Sequence, residues 1–181
     1  QRTKGEAINL TAKFGSNLQN ISLFNVDLSK VDLSNIDFSG STILRSNLSE
    51  AILDNTSCIK CNLKDCNLSK ASLISFYAPY SGIQVSIFNE AKIYNSDFSF
   101  SQFHDSTFSA VNIKNLNIAH SNFFTSDFTN AVIDTITANS VNFEGSDFTK
   151  ANIVNANFWG SNFNKTNLLN SIIQNAYCES S

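Results

Sequence analysis

The sequence predicts an all-β solenoid in which each 20-residue coil has four sides of five residues. Three observations predict it: a large apolar residue recurs at every fifth position, a small residue stands two positions before it, and Asn or Asp often directly precedes it. Steps of five from Leu18 to Ile173 visit 32 positions, of which 29 hold Leu, Phe or Ile. Neither the 3.6-residue period of a helix nor the 2.0-residue period of a strand gives this pattern. A chain that turns a corner every five residues and stacks its coils through short parallel β-bridges does.

Each side of such a coil points two residues inward. They are the large residue, here called the centre, and the residue two before it, here called the small position, which holds Ala, Ser, Thr, Cys or Val in 27 of 32 cases. The other three residues face outward. This register continues without insertion from Ser16 to Asn175. It predicts eight coils, which at about 4.8 Å per coil form a rod roughly 38 Å long.

The repeats also set the expected organisation of the chain. Residues 16–175 form the solenoid, and residues 176–181 form a C-terminal end or a further degenerate repeat. Residues 1–15 are expected to be an N-terminal cap or linker, because Leu10 and Phe14 fall out of phase. The absence of Met and the lack of a C-terminal cap suggest a piece of a larger protein. No apolar run approaches the ~20 residues of a membrane span.

Segments 126–128 (Ser-Asp-Phe), 151–153 (Ala-Asn-Ile) and 156–158 (Ala-Asn-Phe) resemble the A(D/N)Lxx motif of the pentapeptide-repeat family. The resemblance covers residues 16–175 and implies a right-handed quadrilateral parallel β-helix. Phe76 departs from the motif because a bulky ring takes a small position, and Pro79 lacks the N–H that a ladder needs. We therefore expect a local bulge or a widened coil near these two residues.

The four cysteines leave three alternatives open. Cys58, Cys61 and Cys66 have spacings that a partial metal site could use, with Cys178 as a distant fourth ligand. A disulfide or redox role is the second alternative. Core packing is favoured, because Cys58 and Cys178 fall on centres and the other two on small positions. Four buried free thiols would suit a reducing compartment. We expect no metal site and no cofactor.

No catalytic residues are expected, and the chain is predicted not to be an enzyme. His104 and His120 fall on outward positions without a nucleophile or carboxylate at a motif spacing. The sequence contains no glycine-rich phosphate loop, nucleophile elbow or paired-His metal motif.

Large residues at outward positions of one side predict a partner-binding surface, because contiguous exposed aromatic residues usually mark a contact. The alternative is that segment 76–80 bulges and folds its own aromatic side chains back onto the rod. The candidate residues are Ile59, Tyr77, Pro79, Tyr80, Phe100, His120 and Trp159.

The favoured function is a non-enzymatic scaffold or protein-interaction domain with an unknown protein partner. The resemblance implies a bacterial protein and permits a secreted effector. The location is then the cytoplasm, or the cytoplasm of a host cell. An end-to-end dimer or a flanking domain would cover the open C-terminal end. One alternative is a substrate-positioning domain of a larger enzyme, such as a ubiquitin-ligase-like effector.

The other alternative is a DNA mimic that acts on a type II topoisomerase, as quinolone-resistance members of the family do. A duplex of the same length carries about 22 phosphates, whereas this chain has a net charge of only -3. The sequence also pairs opposite charges at one corner, as Lys30, Glu50, Lys70 and Glu90 in successive coils. A nucleic-acid partner is not expected either, because such proteins carry a basic surface.

Overall fold

Parallel pairing at a constant step of 20 residues defines the architecture. The computed structural model describes residues 15–179. The sheet pairing joins Ile93 to Ile113, Ile113 to Ile133, and Ile133 to Ile153, and isolated bridges such as Asp127 to Asp147 link the other sides at the same step. The predicted parallel β-solenoid of about eight coils is therefore confirmed.

The regular strands lie mainly on two of the four sides. Strands β1 and β2 form a two-stranded sheet, and β3 to β8 form a six-stranded sheet in sequence order. The strands are β1 (Ser22–Phe24), β2 (Thr42–Leu44), β3 (Ser72–Ile74), β4 (Lys92–Asp97), β5 (Asn112–Asn117), β6 (Val132–Thr137), β7 (Asn152–Asn157) and β8 (Ile172–Gln174). The sides are numbered here by their centres: the first side begins at Leu18, the second at Leu23, the third at Leu28 and the fourth at Leu33, and each continues at every twentieth residue. The regular strands lie on the second and fourth sides, and β4 to β7 extend from the fourth side into the first.

Each corner is a tight turn that contains one residue in the left-handed region. The residue two positions after a centre, here called the corner position, has φ between 51° at Arg45 and 74° at Gly40. At many corners the N–H of the next small position donates to the carbonyl of the centre, as Ser41 does to Phe38 at 2.8 Å. These corners have the geometry of a type II turn, which favours Gly and Asn at its third residue. At other corners this N–H donates to a Ser hydroxyl of the next coil, as Ser81 does to Ser101 at 2.9 Å. The turn explains why Gly40 and many of the Asn residues stand at corners.

Stacked side chains fill the interior of the rod. On the third side, the ring of Phe108 lies parallel to those of Phe88 and Phe128, with centroid distances of 4.8 and 4.9 Å. Buried Ser hydroxyls join successive coils at small positions. Ser121 accepts from the N–H of Ser101 at 3.1 Å and donates to the carbonyl of Phe98 at 2.8 Å. Such pairing removes the cost of burying the hydroxyl.

The expected bulge near Phe76 and Pro79 is wrong. Tyr77 bridges Ser57 and Asp97 in the regular register. Phe76 fits inside because the neighbouring centre is the small Ala78, and both side chains are buried. Pro79 follows a centre, and the N–H at this position is directed to a side chain rather than to the next coil. Twenty residues later, for example, Ser99 donates to the Asp97 carboxylate at 2.8 Å. A missing N–H at Pro79 therefore removes no ladder bond.

The last described coil is open. Its centres Leu168 and Ile173 are 42% and 40% exposed, and Leu169 is 61% exposed, whereas the centres of earlier coils are buried. Tyr177 still pairs with Asn157, so the solenoid register extends beyond Asn175. The proposed cap falls mainly on residues 1–14, which lie outside the described residues. Residues 15–179 include no helix with the length and apolar character needed to cross a membrane.

Candidate functional site

Three of the seven predicted surface residues form one stacked column. Tyr80, Phe100 and His120 are corner positions of three successive coils on the first side. The ring centroids of Tyr80 and Phe100 are 4.9 Å apart with an 11° angle between planes, and those of Phe100 and His120 are 4.8 Å apart with a 21° angle. All three side chains are exposed. We call them the aromatic column.

The backbone of the aromatic column has the left-handed conformation that every corner of the rod shares. Tyr80, Phe100 and His120 have φ values of 60°, 59° and 60°, a region that bulky side chains rarely adopt. In the first two coils of the same side, Asn20 and Gly40 occupy the corner position. Asn and Gly tolerate it at lower cost. Larger side chains also occupy corners elsewhere, such as Lys60 and Val85, so the aromatic column is distinguished by the succession of three stacked rings rather than by its backbone.

The other four candidates are distributed along the same side. Tyr77 is 46% exposed, in the same coil as Tyr80, and Trp159 is 47% exposed, two coils beyond His120. Ile59 is half-buried. Pro79 is buried, contrary to the expectation that it faces outward. The structure thus brings Tyr80, Phe100 and His120 into ring contact and places the rest around them.

A shallow groove that the sequence analysis missed lies next to the aromatic column. It has a volume of about 290 Å³. The groove lies at successive corners of the first side, where the side chain of Asn20 extends over the backbone of Gly40, and Lys60 precedes Tyr80 in the next coil. The sequence contains one signal for this groove, which is a glycine at residue 40 between the larger Asn20 and Lys60 of the adjacent coils. The lining residues are Gln19, Asn20, Ser39, Gly40, Ile59 and Lys60.

Side-chain amides border the aromatic column on the second side. Asn122 donates its amide N–H to Gln102 at 3.3 Å, Asn142 to Asn122 at 3.1 Å, and Asn162 to Asn142 at 3.0 Å. Each side-chain amide has two N–H groups, and its bond in this row uses one of them. The surface therefore combines exposed rings with a polar border that can donate and accept hydrogen bonds.

His104, the other outward histidine, belongs to an exposed polar cluster on the second side. Its Nδ1 lies 3.0 Å from the Asp105 carboxylate, which also accepts a hydrogen bond from Thr125 at 2.5 Å. The Thr125 bond, followed by the contact with His104, lowers the pKa of Asp105. Both His104 and Asp105 are well exposed to solvent, so the cluster is a solvated surface network.

The cysteines differ from the expectation of four buried thiols. Cys58 and Cys61 form a disulfide inside the core, and Cys178 is exposed. Cys66 is a buried thiol, and burial raises its pKa to about 11. Among the described residues, no group of His, Cys, Asp or Glu side chains is arranged to hold a metal ion. Cys58 and Cys61 therefore no longer imply a reducing compartment, because their positions in one corner bring the two sulfurs together.

Comparison with known proteins agrees with the repeat register. The model of the family described as pentapeptide repeats matches eight copies, at residues 15–40, 44–75, 126–158 and 142–177. These matches cover more than half of the chain. The chain belongs to the pentapeptide-repeat family.

Two solved structures of other proteins resemble this chain to different degrees. One is full-length QnrB1, a plasmid-mediated fluoroquinolone resistance protein, with 15% identity, a TM-score of 0.64, and coverage of 90% of this chain and 93% of that one. Another is HetL, involved in heterocyst differentiation regulation in the cyanobacterium Nostoc, with 17% identity, a TM-score of 0.43, and coverage of 97% and 94%. The likeness to QnrB1, at 15% identity, concerns the fold alone. No curated protein sequence matches the chain.

The surface of this pentapeptide-repeat rod carries charges of both signs. Lys30 pairs with Glu50 and Lys70 with Glu90, each at 3.5 Å, as the corner series predicts. A third pair joins Lys165 to Glu144 at 3.0 Å. The first two pairs are largely solvated, where an ion pair adds at most about 1 kcal/mol. They neutralise one another along the rod rather than forming a uniformly acidic face.

Proposed function

We propose that this pentapeptide-repeat chain is a non-enzymatic scaffold that binds a protein partner through its first side. The observation that carries the proposal is the aromatic column, in which Tyr80, Phe100 and His120 stack at three successive left-handed corners. Family members are structural and binding proteins, which supports the same class of function. We also propose, from the family resemblance, a bacterial parent protein with further domains.

The composition of the surface supports protein binding. Tyr80 and Phe100 are 56% and 44% exposed, and aromatic side chains are enriched where interfaces bury their central contacts. Because the rings already contact one another, little side-chain entropy remains to be lost on binding. The amides of Gln102 and Asn122 supply a polar border, which matches the polar rim of protein interfaces.

The open last coil supports a second contact of the scaffold. Leu168, Leu169 and Ile173 expose apolar surface there. We propose that a flanking domain or a second copy of the chain covers them. Size measurement of the chain and of an Ile173→Glu variant distinguishes the two: a dimer that the variant abolishes supports the second copy. A monomer that remains monomeric at high concentration contradicts it.

DNA mimicry is less well supported than protein binding through the first side. A mimic needs a regular array of negative charge, whereas Lys30, Lys70, Lys114, Lys150 and Lys165 are all exposed on this rod. The substrate-positioning alternative is one form of the scaffold proposal, because it uses the same surface within a larger protein.

Photo-crosslinking inside cells tests the binding surface against every protein that contacts it there. A photoreactive residue replaces the exposed Gln102, and the adducts are compared in an otherwise native chain and in the Tyr80→Asn/Phe100→Asn/His120→Asn variant. Asn suits the left-handed corners, so this variant should fold. Phe124→Asn is the matched control, because Phe124 is 40% exposed on the second side. Specific adducts should disappear only in the triple variant. Identical adducts in all three proteins would contradict the proposal.

A further inference from the structure

We propose that Cys58 and Cys61 are a reversible dithiol–disulfide switch that tightens the corner presenting Ile59 and Lys60. Oxidation holds this corner closed, and reduction loosens it. The switch is a property of the coil itself and does not depend on partner binding at the aromatic column, although Ile59 and Lys60 line the neighbouring groove.

The fold prepares these two cysteines to bond. Cys58 is a centre of the first side and Cys61 is the next small position, so both side chains point inward across one corner. Their Cα atoms are 5.3 Å apart, within the usual range for a disulfide. The N–H of Cys61 donates to the carbonyl of Cys58 at 3.2 Å. This turn bond recurs at other corners, for example from Ala71 to Leu68 at 3.1 Å, so the backbone needs no special distortion.

The reduced state also has a defined place in the structure. At the same small position of later coils, a Ser hydroxyl donates to the carbonyl 23 residues earlier, as Ser101 does to Ala78 at 3.0 Å. The sulfur of Cys61 lies 3.3 Å from the corresponding carbonyl, that of Phe38. A Cys61 thiol can donate a proton to this oxygen as Ser does, whereas a disulfide sulfur has no proton to donate. Cys61 therefore has two alternative partners, Cys58 when oxidised and Phe38 when reduced.

Packing transmits the change to the surface. Bonded sulfurs are about 2.05 Å apart, whereas unbonded atoms of the core need roughly 3.5–4 Å. Both cysteines are only 2% exposed, and Cys58 lies between the buried centres Phe38 and Ala78 of the adjacent coils. A close-packed interior resists added volume. Reduction must therefore move the two sulfurs apart, and we expect this to loosen the corner residues between them, which are Ile59 and Lys60.

The third buried cysteine in this region is an internal reference. The Cys66 thiol donates to the carbonyl of Ile43 at 3.0 Å, in the manner of the Ser residues. Burial raises its pKa to about 11, so little thiolate forms near neutral pH, and thiolate is the species that attacks disulfides. Cys66 is a small position of the third side, two corners beyond Cys58, and remains a thiol in both states.

The chemistry balances with ordinary thiol reagents. A small dithiol attacks the disulfide, its two sulfurs become a cyclic disulfide, and its two protons and two electrons pass to the sulfurs of Cys58 and Cys61. A small-molecule disulfide reverses the reaction and leaves as two thiols. Because both sulfurs are buried, exchange requires local opening of the corner, and we expect it to be slow in the folded protein.

The test compares thermal unfolding of the full chain before and after reduction with dithiothreitol. Alkylation in denaturant followed by mass measurement should count two reactive thiols before reduction and four after it. The chain-entropy effect of so short a loop predicts that the oxidised protein melts roughly 4–8 °C higher. Hydrogen exchange in segment 57–62 should become faster on reduction, while segment 127–131 should not change.

Two serine variants separate the switch from a general effect of thiol reagents. Cys61→Ser restores the hydroxyl found at equivalent positions, so it should fold, and its melting temperature should not respond to dithiothreitol. Cys66→Ser should keep the full response. Reduction to four thiols with no change in melting temperature or in exchange of segment 57–62 would overturn the proposal. A response that persists in Cys61→Ser would overturn it as well.

Discussion

Replacement of Phe108 by Leu tests whether ring stacking stabilises the third side of the rod. The Phe108 ring is 2% exposed and lies between the rings of Phe88 and Phe128, with interplanar angles of 6° to each. Leu is compatible with this position, because Leu48 and Leu68 occupy it in earlier coils. The substitution therefore removes the two stacked contacts, two tilted ring contacts with Phe103 and Phe123 at 5.6 Å each, and some volume, but it retains an apolar centre.

The expected cost follows from those losses. Aromatic pairs contribute about 0.5–1.5 kcal/mol each beyond the area that they bury, so two contacts account for about 1–3 kcal/mol. The residual cavity adds about 0.5 kcal/mol if some 20 Å³ stays unfilled at about 24 cal/mol per Å³. Because the contacts with Phe103 and Phe123 are lost as well, we expect Phe108→Leu to lower the free energy of unfolding by at least about 1.5 kcal/mol.

Denaturant unfolding measured by circular dichroism gives this difference, and hydrogen exchange locates it. Exchange should increase most in the coils that contain Phe88, Phe108 and Phe128, because each repeat contacts only its neighbours. Phe124→Leu is the control, since Phe124 is an exposed aromatic residue on the second side, and it should change stability by less than about 0.5 kcal/mol. Equal effects of the two substitutions would refute the reasoning that stacking in the interior stabilises the rod.

Three further predictions concern the small positions, the corners and the surface carboxylates. Ser121→Ala should lower the free energy of unfolding, measured with denaturant, by about 1–3 kcal/mol, because the Ser101 N–H and the Phe98 carbonyl lose their hydrogen-bond partner. Ser22→Ala is the control and should have little effect, because Ser22 is on the outer surface. Gly40→Ala should lower the free energy of unfolding by about 1–2 kcal/mol, because Gly40 has a φ of 74°. Gly82→Ala should leave the free energy of unfolding unchanged or raise it, because Gly82 is outside the left-handed region. Equal shifts in melting temperature for the two variants would contradict this prediction. Two hydrogen bonds from Ser34, the hydroxyl bond first and then the backbone bond, lower the pKa of Asp32. The stabilisation that these bonds give the folded protein is present above the unfolded pKa of about 3.9 and is lost as pH falls through the lower folded value. An NMR titration should show that Ser34→Ala raises the pKa of Asp32 in the folded protein.

The sequence by itself determined the solenoid and the register of its interior. The five-residue period assigns Phe108, Ile113 and Phe128 to centres, and all three are buried. This succeeds because every corner places one residue in the left-handed region, so the direction of a side chain depends on its place in the repeat. The abundance of Phe and the scarcity of charged residues follow from the same rule, since inward positions recur throughout the chain.

The tertiary structure alone decided how side chains in adjacent coils meet. The outward register placed Tyr80, Phe100 and His120 on one side, but their stacking depends on side-chain rotamers at corners 20 residues apart.

The same dependence explains where expectations from the sequence were wrong. Phe76 fits because Ala78 is small, and Cys58 bonds to Cys61 because one corner brings both sulfurs inward. Periodicity specifies which residues face the interior, whereas the volume and direction of neighbouring side chains determine what they contact there.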